Sequence, residues 1–426
     1  WAEMPARRRG ALLAEAARRL AAESEPLAIL LARETGKAIR TECRGEIAVA
    51  GDILAMFAGL GSELKGETLP FDPAVFAATT REPLGVVGAI VPWNVPLVLT
   101  MLKIAPALVA GNTVVVKASE VAPFATMAAA AILDELLPAG VVNVVCGRGT
   151  ECGQALVDHP SVAKITFTGS EAVGVEIYRS AASRLIPVSL ELGGKSPMIV
   201  CADVDLDKAV EGAVQGMRFT RQGQSCTAAS RIFVHDDVHD RFVERLRQRL
   251  DRMVIGDPLD EATDIGTIVS ERQCRRVRDY IAMAEAAPEA TVVRCGALPS
   301  GEGLAAELFL QPTLVLGIHP SSPVVREEIF GPVTVIRRWS DLDAVIAEAN
   351  DTSFGLAASV WTRDMGVAFE ASKRLNAGFV QVNAGYTIQP NLSYGGFGRS
   401  GLGKEASLES MLEHFTRKKT IVFAQP

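Results

Sequence analysis

The hydrophobic positions of this chain change their spacing near Val86. Before that point, residues 11–20, 27–38 and 46–60 combine strong helix formers with apolar residues at helical spacing, which predicts three helices. Beyond it, short β-branched runs alternate with helical stretches, a pattern typical of a parallel sheet that is covered on both faces. The chain is therefore predicted to be an α/β protein.

Two α/β blocks are predicted on either side of Gly193 and Gly194. In the first block, strands are expected at 86–91, 113–116, 141–145, 164–167 and 188–190, with a helix over 122–137. This order predicts a doubly wound, Rossmann-like domain. In the second block, strands at 197–200 and 230–234 alternate with helices at 205–219 and 238–253, and the alternation continues to about Asn391.

A small β element completes the predicted architecture. Residues 67–80 are expected to form a projecting β-hairpin, and 420–423 a short terminal strand. Such strands pair across a subunit boundary or form an ordinary surface ribbon, and the sequence favours neither. The predicted boundaries are 1–66 with 84–193 for the first domain, 194–395 for the second, and 67–83 with 411–426 for the β element.

Composition restricts the classes of partner. The 43 basic and 50 acidic residues include no lysine-rich block, which argues against nucleic acid and anionic lipid. Seven dispersed cysteines without a CxxC pair argue against disulfides and a zinc site, and favour the cytoplasm. Residues 83–102 carry no charge, but their three prolines and Asn94 predict a buried strand that runs into a functional loop rather than a membrane span. The start of the chain lacks the apolar segment of a secretory signal, so none is expected.

Three polar residues have the chemistry of a reactive site. Cys226 ends the glycine-containing loop 222–226 (QGQSC), where backbone N–H groups stabilise a thiolate, although a single cysteine is more often a small buried hydrophobe, as we expect for the other six. Glu191 ends an apolar strand, where desolvation raises the pKa of a carboxyl group; a structural strand-end acid fits equally well. Asn94 lies between Pro92 and Pro96, which suits either a rigid oxyanion donor or a turn.

Six motifs together identify a family. In order they are 81–88 (REPLGVVG), 92–94 (PWN), 191–197 (ELGGKSP), 222–226 (QGQSC), 328–332 (EIFGP) and 395–401 (GGFGRSG). The set resembles the NAD(P)-dependent aldehyde dehydrogenase superfamily, of the hydrolytic, non-acylating type, from Trp1 to nearly the last residue. The resemblance implies an NAD-binding domain, a catalytic domain and an oligomerisation element for the three predicted parts. Members of the family normally also have a segment before the position of Trp1, which contributes strands to the cofactor domain.

The resemblance assigns catalytic roles. It implies that Cys226 is the nucleophile that forms a thiohemiacetal and then a thioester, that Asn94 and the Cys226 N–H form the oxyanion hole, and that Glu191 activates the hydrolytic water. Lys103 matches a position near the base that relays protons, although a surface lysine on the helix after Pro96 is a serious alternative. No metal is expected.

The cofactor is expected at the carboxyl ends of the first block's strands, where such sheets bind ligands. A carboxylate at Glu120 accepts hydrogen bonds from a ribose 2′-hydroxyl and repels a 2′-phosphate, which favours NAD, with NADP as the less favoured alternative. The turn at 167–170 and the helix after it present free N–H groups to a pyrophosphate, or form a plain strand-to-helix turn. The complete expected cofactor set is Val91, Pro92, Trp93, Lys117, Ser119, Glu120, Gly147, Gly149, Phe167, Thr168, Gly169, Ser170, Val173, Leu192, Gly193, Glu328 and Phe330. Without the family, Glu327 and Glu328 would be interpreted as a solvated pair.

The residues around the substrate are predicted from the same resemblance to the family. The residues expected near the aldehyde are Val95, Leu99, Leu102, Thr220, Ser225, Tyr386, Ile388 and Tyr394. This apolar lining with two tyrosines favours an aromatic or medium-chain aliphatic aldehyde. An inward Arg218 or Arg221 would instead suit a carboxylated semialdehyde, but solvated arginines are commoner and are the preferred interpretation. Arg221 also stands where many relatives carry Asn.

Two other functions compete with hydrolytic aldehyde oxidation. A CoA-acylating dehydrogenase typically lacks the glutamate base, so Glu191 argues against it. A non-catalytic protein with this fold would not need Cys226, Glu191 and Asn94 together. We expect a homodimer or homotetramer acting on a small-molecule aldehyde, with no nucleic-acid or membrane partner.

Overall fold

Helices dominate the start of the chain and then alternate with strands. The computed structural model describes residues 1–300, 305–385 and 388–424. The helices are α1 Ala6–Ala22, α2 Ser24–Thr35, α3 Arg44–Gly59, α4 Pro96–Ala110, α5 Phe124–Asp134, α6 Gln154–Asp158, α7 Glu171–Ser183, α8 Leu206–Met217, α9 His239–Asp251, α10 Glu271–Glu285, α11 Pro323–Arg326, α12 Leu342–Asn350, α13 Met365–Arg374 and α14 Leu408–His414. The helix predicted over 27–38 ends at Thr35, because Gly36 takes a left-handed φ of 73° and caps it.

The strands follow the predicted alternation. They are β1 Val75–Pro83, β2 Val86–Ile90, β3 Thr113–Ala118, β4 Val142–Cys146, β5 Val162–Thr168, β6 Val188–Glu191, β7 Pro197–Val200, β8 Arg231–His235, β9 Thr291–Arg294, β10 Thr313–Leu316, β11 Val333–Trp339, β12 Phe354–Gly355, β13 Ala357–Trp361, β14 Phe379–Val382, β15 Phe397–Gly398, β16 Gly401–Leu402 and β17 Thr416–Ala424. All five strands predicted in the first block, and both of those in the second, are present within one to three residues of their predicted ends.

The first block forms a six-stranded sheet in the order β16-β6-β5-β2-β3-β4. Strands β2 to β6 are parallel, and only the short β16 is antiparallel to its neighbour. From β2 the chain builds outward through β3 and β4, and then returns to the other side of β2 through β5 and β6. This reversal beside β2 is a topological switch point, where the carboxyl ends of the strands leave a crevice for a ligand.

The second block forms a seven-stranded sheet in the order β14-β13-β7-β8-β11-β10-β9. Its neighbours are parallel except for β9, which is antiparallel to β10. An apolar cluster that includes Phe219, Ile232 and Phe242 forms a core of this sheet without exposure to solvent. The loop that carries Cys226 leads from α8 into β8, so it emerges from this well-packed layer.

The predicted hairpin is wrong in its extent. The terminal strand β17 is longer than expected, and β1 pairs along its whole length with β17 rather than with residues 67–74. The hairpin itself is reduced to one bridge, between Thr68 and Ala78. The two-stranded ribbon keeps large apolar side chains exposed, among them Phe76 and Phe423. Local alternation indicated strands here, but the partner of β1 lies more than 300 residues away.

One helical stretch, Ile39–Glu63, has the length and hydropathy of a membrane span. Ile47, Ile53 and Phe57 of this stretch are fully or almost fully buried. They belong to the apolar cluster that also holds residues of α1 and α4. This packing is that of a core helix, and the same stretch places Glu42 and Glu46 beside the site described next.

Candidate active site

A cavity of about 240 Å³ lies where the loops of the two sheets meet. Its lining contains Asn94 and Cys226, which the sequence places more than 130 residues apart. Five of the expected substrate residues also line it, namely Val95, Leu99, Ser225, Ile388 and Tyr394. The remaining lining residues are Thr41, Glu42, Gly45, Glu46, Val49, Val98, Arg218, Arg221, Thr227 and Phe379. The lining thus combines apolar side chains of the α4 region with two arginines and two glutamates.

Three expected substrate residues do not appear in this lining. Leu102 is fully buried in the core on α4. Thr220 contributes indirectly, because its hydroxyl donates to Glu42 at 2.5 Å. Tyr386 lies outside the residues that the structure describes.

Cys226 follows a tightly wound turn. Gln222 and Gly223 have φ values of 54° and 64°, and a Cβ at position 223 would lie 2.1 Å from the Gly331 carbonyl oxygen, so only glycine fits there. The Cys226 Sγ lies 3.6 Å from the Tyr394 hydroxyl. Burial raises the pKa of the Cys226 thiol to about 11, against the lowering effect of the Tyr394 hydrogen bond. The thiol therefore needs a base before it can attack.

Asn94 is held by a buried clamp that sequence analysis missed. The Asn94 Nδ2 donates to the Gln224 carbonyl at 3.1 Å, which ties the asparagine to the cysteine loop. Lys37 Nζ donates to the Asn94 carbonyl at 2.8 Å and forms an ion pair with Glu46. Glu46 also accepts from the Leu97 N–H at 2.9 Å. A lysine and a glutamate within apolar helical segments were the available signal, because such charges are buried only when paired.

Glu191 ends β6 just outside the cavity lining. The residue is almost fully buried, and its Oε2 has no hydrogen-bond partner among the described residues. A Cβ at position 395 would lie 2.6 Å from the Glu191 Oε1, so Gly395 leaves room for the carboxyl group. Burial and the charge of Glu405 raise the pKa of Glu191 well above 4.5, and its own charge raises the pKa of Cys226. The raised pKa and the electrostatic coupling to the thiol make Glu191 a candidate base.

Lys103 is not a surface lysine. It is fully buried, and its Nζ donates to Glu405 at 2.7 Å and to the Thr166 hydroxyl at 3.3 Å. The Thr166 hydroxyl in turn donates to Glu405 at 3.2 Å. The positive charge of Lys103 lowers the pKa of Glu191, while Glu405 raises it. Sequence analysis missed Glu405, which lies more than 200 residues after Glu191.

The expected cofactor residues gather at one edge of the six-stranded sheet. Apart from Glu328 and Phe330, they lie on or just after the carboxyl ends of β2, β3, β4, β5 and β6, or at the start of α7. Lys117 at the end of β3 pairs with Glu120 at 2.6 Å. The Thr168 hydroxyl is buried without a hydrogen-bond partner in the described chain. Such an orphaned donor beside the N-terminus of α7 fits the pyrophosphate of a dinucleotide.

Two residues of the second block, Glu328 and Phe330, lie between α11 and β11 and reach the same edge. The rings of Trp93 and Phe330 meet edge to face with centroids 5.3 Å apart. Glu328 accepts from the Gly194 N–H at 3.0 Å, and a Cβ at position 193 would lie 2.5 Å from its Oε2. Burial raises the pKa of Glu328 to about 7. The interpretation of Glu328 as a solvated charge is therefore wrong. Val173, which is 48% exposed, lies at the rim of this edge of the sheet.

The preference for outward-facing Arg218 and Arg221 is also wrong. Both line the cavity with Cys226. Arg221 donates to Glu42 through Nε at 2.8 Å and Nη2 at 2.5 Å. Arg218 follows α8 in the left-handed conformation with a φ of 56°. Helical periodicity does not reveal a helix end that turns a side chain inward.

Comparison with known proteins decides the family. The model of the Aldehyde dehydrogenase family matches residues 1–421. The chain belongs to the aldehyde dehydrogenase family. It is 40% identical over 415 residues to hydroxyisobutyraldehyde dehydrogenase of Mycolicibacterium austroafricanum, covering 96% of this chain and 81% of that protein. It is also 40% identical to cytosolic aldehyde dehydrogenase 1 of Rattus norvegicus, covering 99% and 83%.

Solved aldehyde dehydrogenases share the fold. PnpE in complex with nicotinamide adenine dinucleotide has a TM-score of 0.96 at 37% identity, with 100% of this chain and 86% of that chain covered. Betaine aldehyde dehydrogenase from Staphylococcus aureus, solved with NAD+, has a TM-score of 0.95 at 32% identity, with 100% and 84% covered. The predicted aldehyde dehydrogenase fold, with its doubly wound cofactor-type sheet and second α/β sheet, is confirmed.

Proposed function

We propose that this aldehyde dehydrogenase uses NAD to oxidise an aldehyde to a carboxylic acid by the hydrolytic route. One arrangement carries the proposal. The Cys226 thiol and the Asn94 amide line one cavity, and the unpartnered Glu191 carboxylate acts electrostatically on that thiol. A nucleophile, an oxyanion donor and a base are the parts that acyl transfer requires. We further propose residues 194–395, which include Cys226, as the catalytic domain.

The first step forms a bond between the Cys226 Sγ and the aldehyde carbon. The thiol proton leaves to Glu191, directly or through a water, because the raised pKa of Glu191 brings it closer to that of the thiol. The carbonyl oxygen becomes an oxyanion that accepts hydrogen bonds from the Asn94 Nδ2 and the Cys226 backbone N–H. The Tyr394 hydroxyl, 3.6 Å from Sγ, stabilises the thiolate before attack.

The edge of the six-stranded sheet fits NAD, and we propose 1–66 with 84–193 as the cofactor domain. Lys117 and Glu120 would hold the adenosine ribose, and Thr168 with the start of α7 the pyrophosphate. Glu328 would hold the nicotinamide ribose, and Trp93 and Phe330 would lie beside the ring. When bound, NAD supplies the acceptor for the hydride that leaves the thiohemiacetal carbon. The protein's own side chains carry out the remaining steps.

Hydrolysis releases the acid from the cysteine. Glu191 takes a proton from a water whose oxygen attacks the thioester carbonyl, and the C–S bond then breaks to return Cys226 as a thiolate. The Asn94 amide stabilises the second oxyanion as it did the first. The buried set of Lys103, Thr166 and Glu405 provides a path for the proton away from Glu191.

The apolar side of the cavity supports an aldehyde with a hydrocarbon body. Val95, Val98 and Leu99 of the α4 region line this space together with Phe379 and Ile388. Burial of a methylene against such a wall contributes about 0.8 kcal/mol. We propose an aromatic or medium-chain aliphatic skeleton, a cytoplasmic location, and a homodimer or homotetramer whose subunits contact one another through the ribbon of β1 and β17.

The proposed route is tested by product analysis. Purified protein with NAD and a panel of aliphatic and aromatic aldehydes is expected to form NADH and carboxylic acid in equal amounts. Addition of CoA is expected to change neither rate nor product, because Glu191 directs water to the thioester. An acyl-CoA product would replace the hydrolytic route with the acylating one. Absence of NADH with every aldehyde would refute dehydrogenase activity.

Cofactor preference is tested at Glu120. Glu120→Ala is expected to lower kcat/KM for NAD about tenfold and to raise the NADP-to-NAD ratio of kcat/KM, because it removes a ribose acceptor and frees the Lys117 ammonium for a 2′-phosphate. Steady-state kinetics with both cofactors provide the measurement. Glu135→Ala, which removes an exposed carboxylate at the end of α5, is the control. An unchanged ratio in Glu120→Ala would remove Glu120 from the cofactor site.

A further inference from the structure

The cavity lining contains two arginines and two glutamates, and a third cation, Lys37, lies behind the lining. Glu42 is occupied by Arg221, whose Nε and Nη2 both donate to it, and by the Thr220 hydroxyl. Glu46 is occupied by Lys37 behind the wall. Both carboxylates of the lining therefore have cationic partners of their own. Among the charged residues of the lining and these partners, Arg218 is the one without an ion-pair partner.

Arg218 is only partly exposed to solvent and has no counter-ion in the described part of the chain. Among the described residues it forms no ion pair, and its Nε is buried without a hydrogen-bond partner. Burial and the neighbouring Arg221 lower the pKa of Arg218 to about 10, which leaves the guanidinium charged at neutral pH. A partly buried cation without an ion-pair partner is costly, since the protein does not replace the water that it loses. A ligand with negative charge would remove that cost.

The backbone at this residue is also unfavourable. Arg218 has a φ of 56°, in the left-handed region where a residue with a long side chain is uncommon. The strain turns the chain at the end of α8 and places the guanidinium in the wall of the cavity that holds Cys226. Strained backbone of this kind tends to occur at functional sites.

We infer that the aldehyde oxidised here carries a carboxylate, which the guanidinium of Arg218 binds while Cys226 attacks the aldehyde carbon at the other end of the molecule. This inference rests on the proposed function and specifies its substrate class. The single uncompensated charge matches one carboxylate, whereas a phosphate ester carries about −1.5 to −2. The planar guanidinium fork also matches a carboxylate in two parallel hydrogen bonds. The apolar wall then packs against the carbon skeleton between the two ends.

A different role for Arg218 makes a different prediction. Its charge acts on Cys226, so a guanidinium that only stabilised the thiolate would accelerate all aldehydes alike. Substrate recognition instead changes the ratio of kcat/KM between a carboxylated aldehyde and its neutral counterpart. The ratio is therefore the readout that separates the two roles.

The experiment uses matched pairs of substrates with NAD. Straight-chain aldehydes of four to six carbons are compared with the ω-carboxylated aldehydes of the same length, and 4-methylbenzaldehyde with 4-carboxybenzaldehyde. For at least one pair, the wild-type protein is expected to prefer the carboxylated member by about 10- to 150-fold in kcat/KM, the range of one charged hydrogen-bonded contact. A ratio at or below one for every pair overturns the inference. A phosphorylated aldehyde that is preferred over its carboxylated counterpart also overturns it.

Substitution then tests the residue. Arg218→Met, which keeps side-chain length, is expected to bring the ratio close to one, and Arg218→Lys to give an intermediate ratio, because it keeps the charge but loses the fork. Arg18→Met, which removes an exposed arginine from α1, is expected to retain the wild-type ratio. A wild-type ratio in both Arg218 variants overturns the inference. Failure to form NADH with neutral and carboxylated aldehydes alike would instead refute the proposed function itself.

Discussion

Replacing Cys226 with alanine is expected to abolish NADH formation from every aldehyde while NAD continues to bind. The cavity places this thiol beside the Asn94 amide, and no other cysteine lies in its lining, within the described part of the chain. Without the sulfur no thiohemiacetal forms, and removal of a covalent nucleophile typically lowers kcat by about 10⁴-fold or more. Steady-state rates and isothermal titration with NAD provide the two measurements.

A second cysteine variant controls for general damage. Cys201→Ala changes a buried thiol at the end of β7, outside the cavity lining, and is expected to keep wild-type turnover. Retained turnover in Cys226→Ala would assign the nucleophile to another group. Loss of NAD binding together with turnover would indicate a folding defect, which Cys226→Ser, closer in shape to the native residue, would then resolve.

The fold was predictable because its signals are local. The β-branched runs near Val86, Val114 and Ile165 are too short and too apolar for surface elements, and helical stretches separate them, so a parallel sheet follows from order alone. The pairing of β1 was not predictable in the same way. Its partner is at the other end of the chain, and alternation along a strand identifies a face but not a neighbour.

The candidate site was predictable only in part. Cys226, Asn94 and Glu191 stand at the ends of predicted strands or in glycine-containing loops, and the family motifs connect them. Lys37 and Glu46 were missed because their apolar surroundings, the available signal, do not show that the two charges pair with each other. Arg218 was misplaced for a related reason, since a left-handed residue at a helix end breaks the periodicity from which its orientation was inferred.

The second large effect is expected at Glu191, where Glu191→Gln should stop the enzyme after one turnover. Glutamine keeps the size of the side chain but takes no proton from water, so hydrolysis of the thioester is expected to slow by about 10²- to 10⁴-fold, the usual contribution of a general base. A burst of NADH close to one equivalent per subunit should precede a slow steady state. Intact-protein mass spectrometry should then find the acyl group on Cys226.

The pH profile separates a base from a merely structural carboxyl group. Because burial and Glu405 raise the pKa of Glu191, the acidic limb of kcat in the wild-type protein should lie well above pH 4.5. Below that limb Glu191 is protonated and cannot accept a proton from water; above it the carboxylate is available. The limb should disappear in Glu191→Gln and persist in Glu413→Gln, which changes an exposed carboxyl group on α14. Normal turnover without an acyl adduct in Glu191→Gln would show that a group other than Glu191 activates the water. The unpartnered Oε2 of Glu191 would then have no part in deacylation.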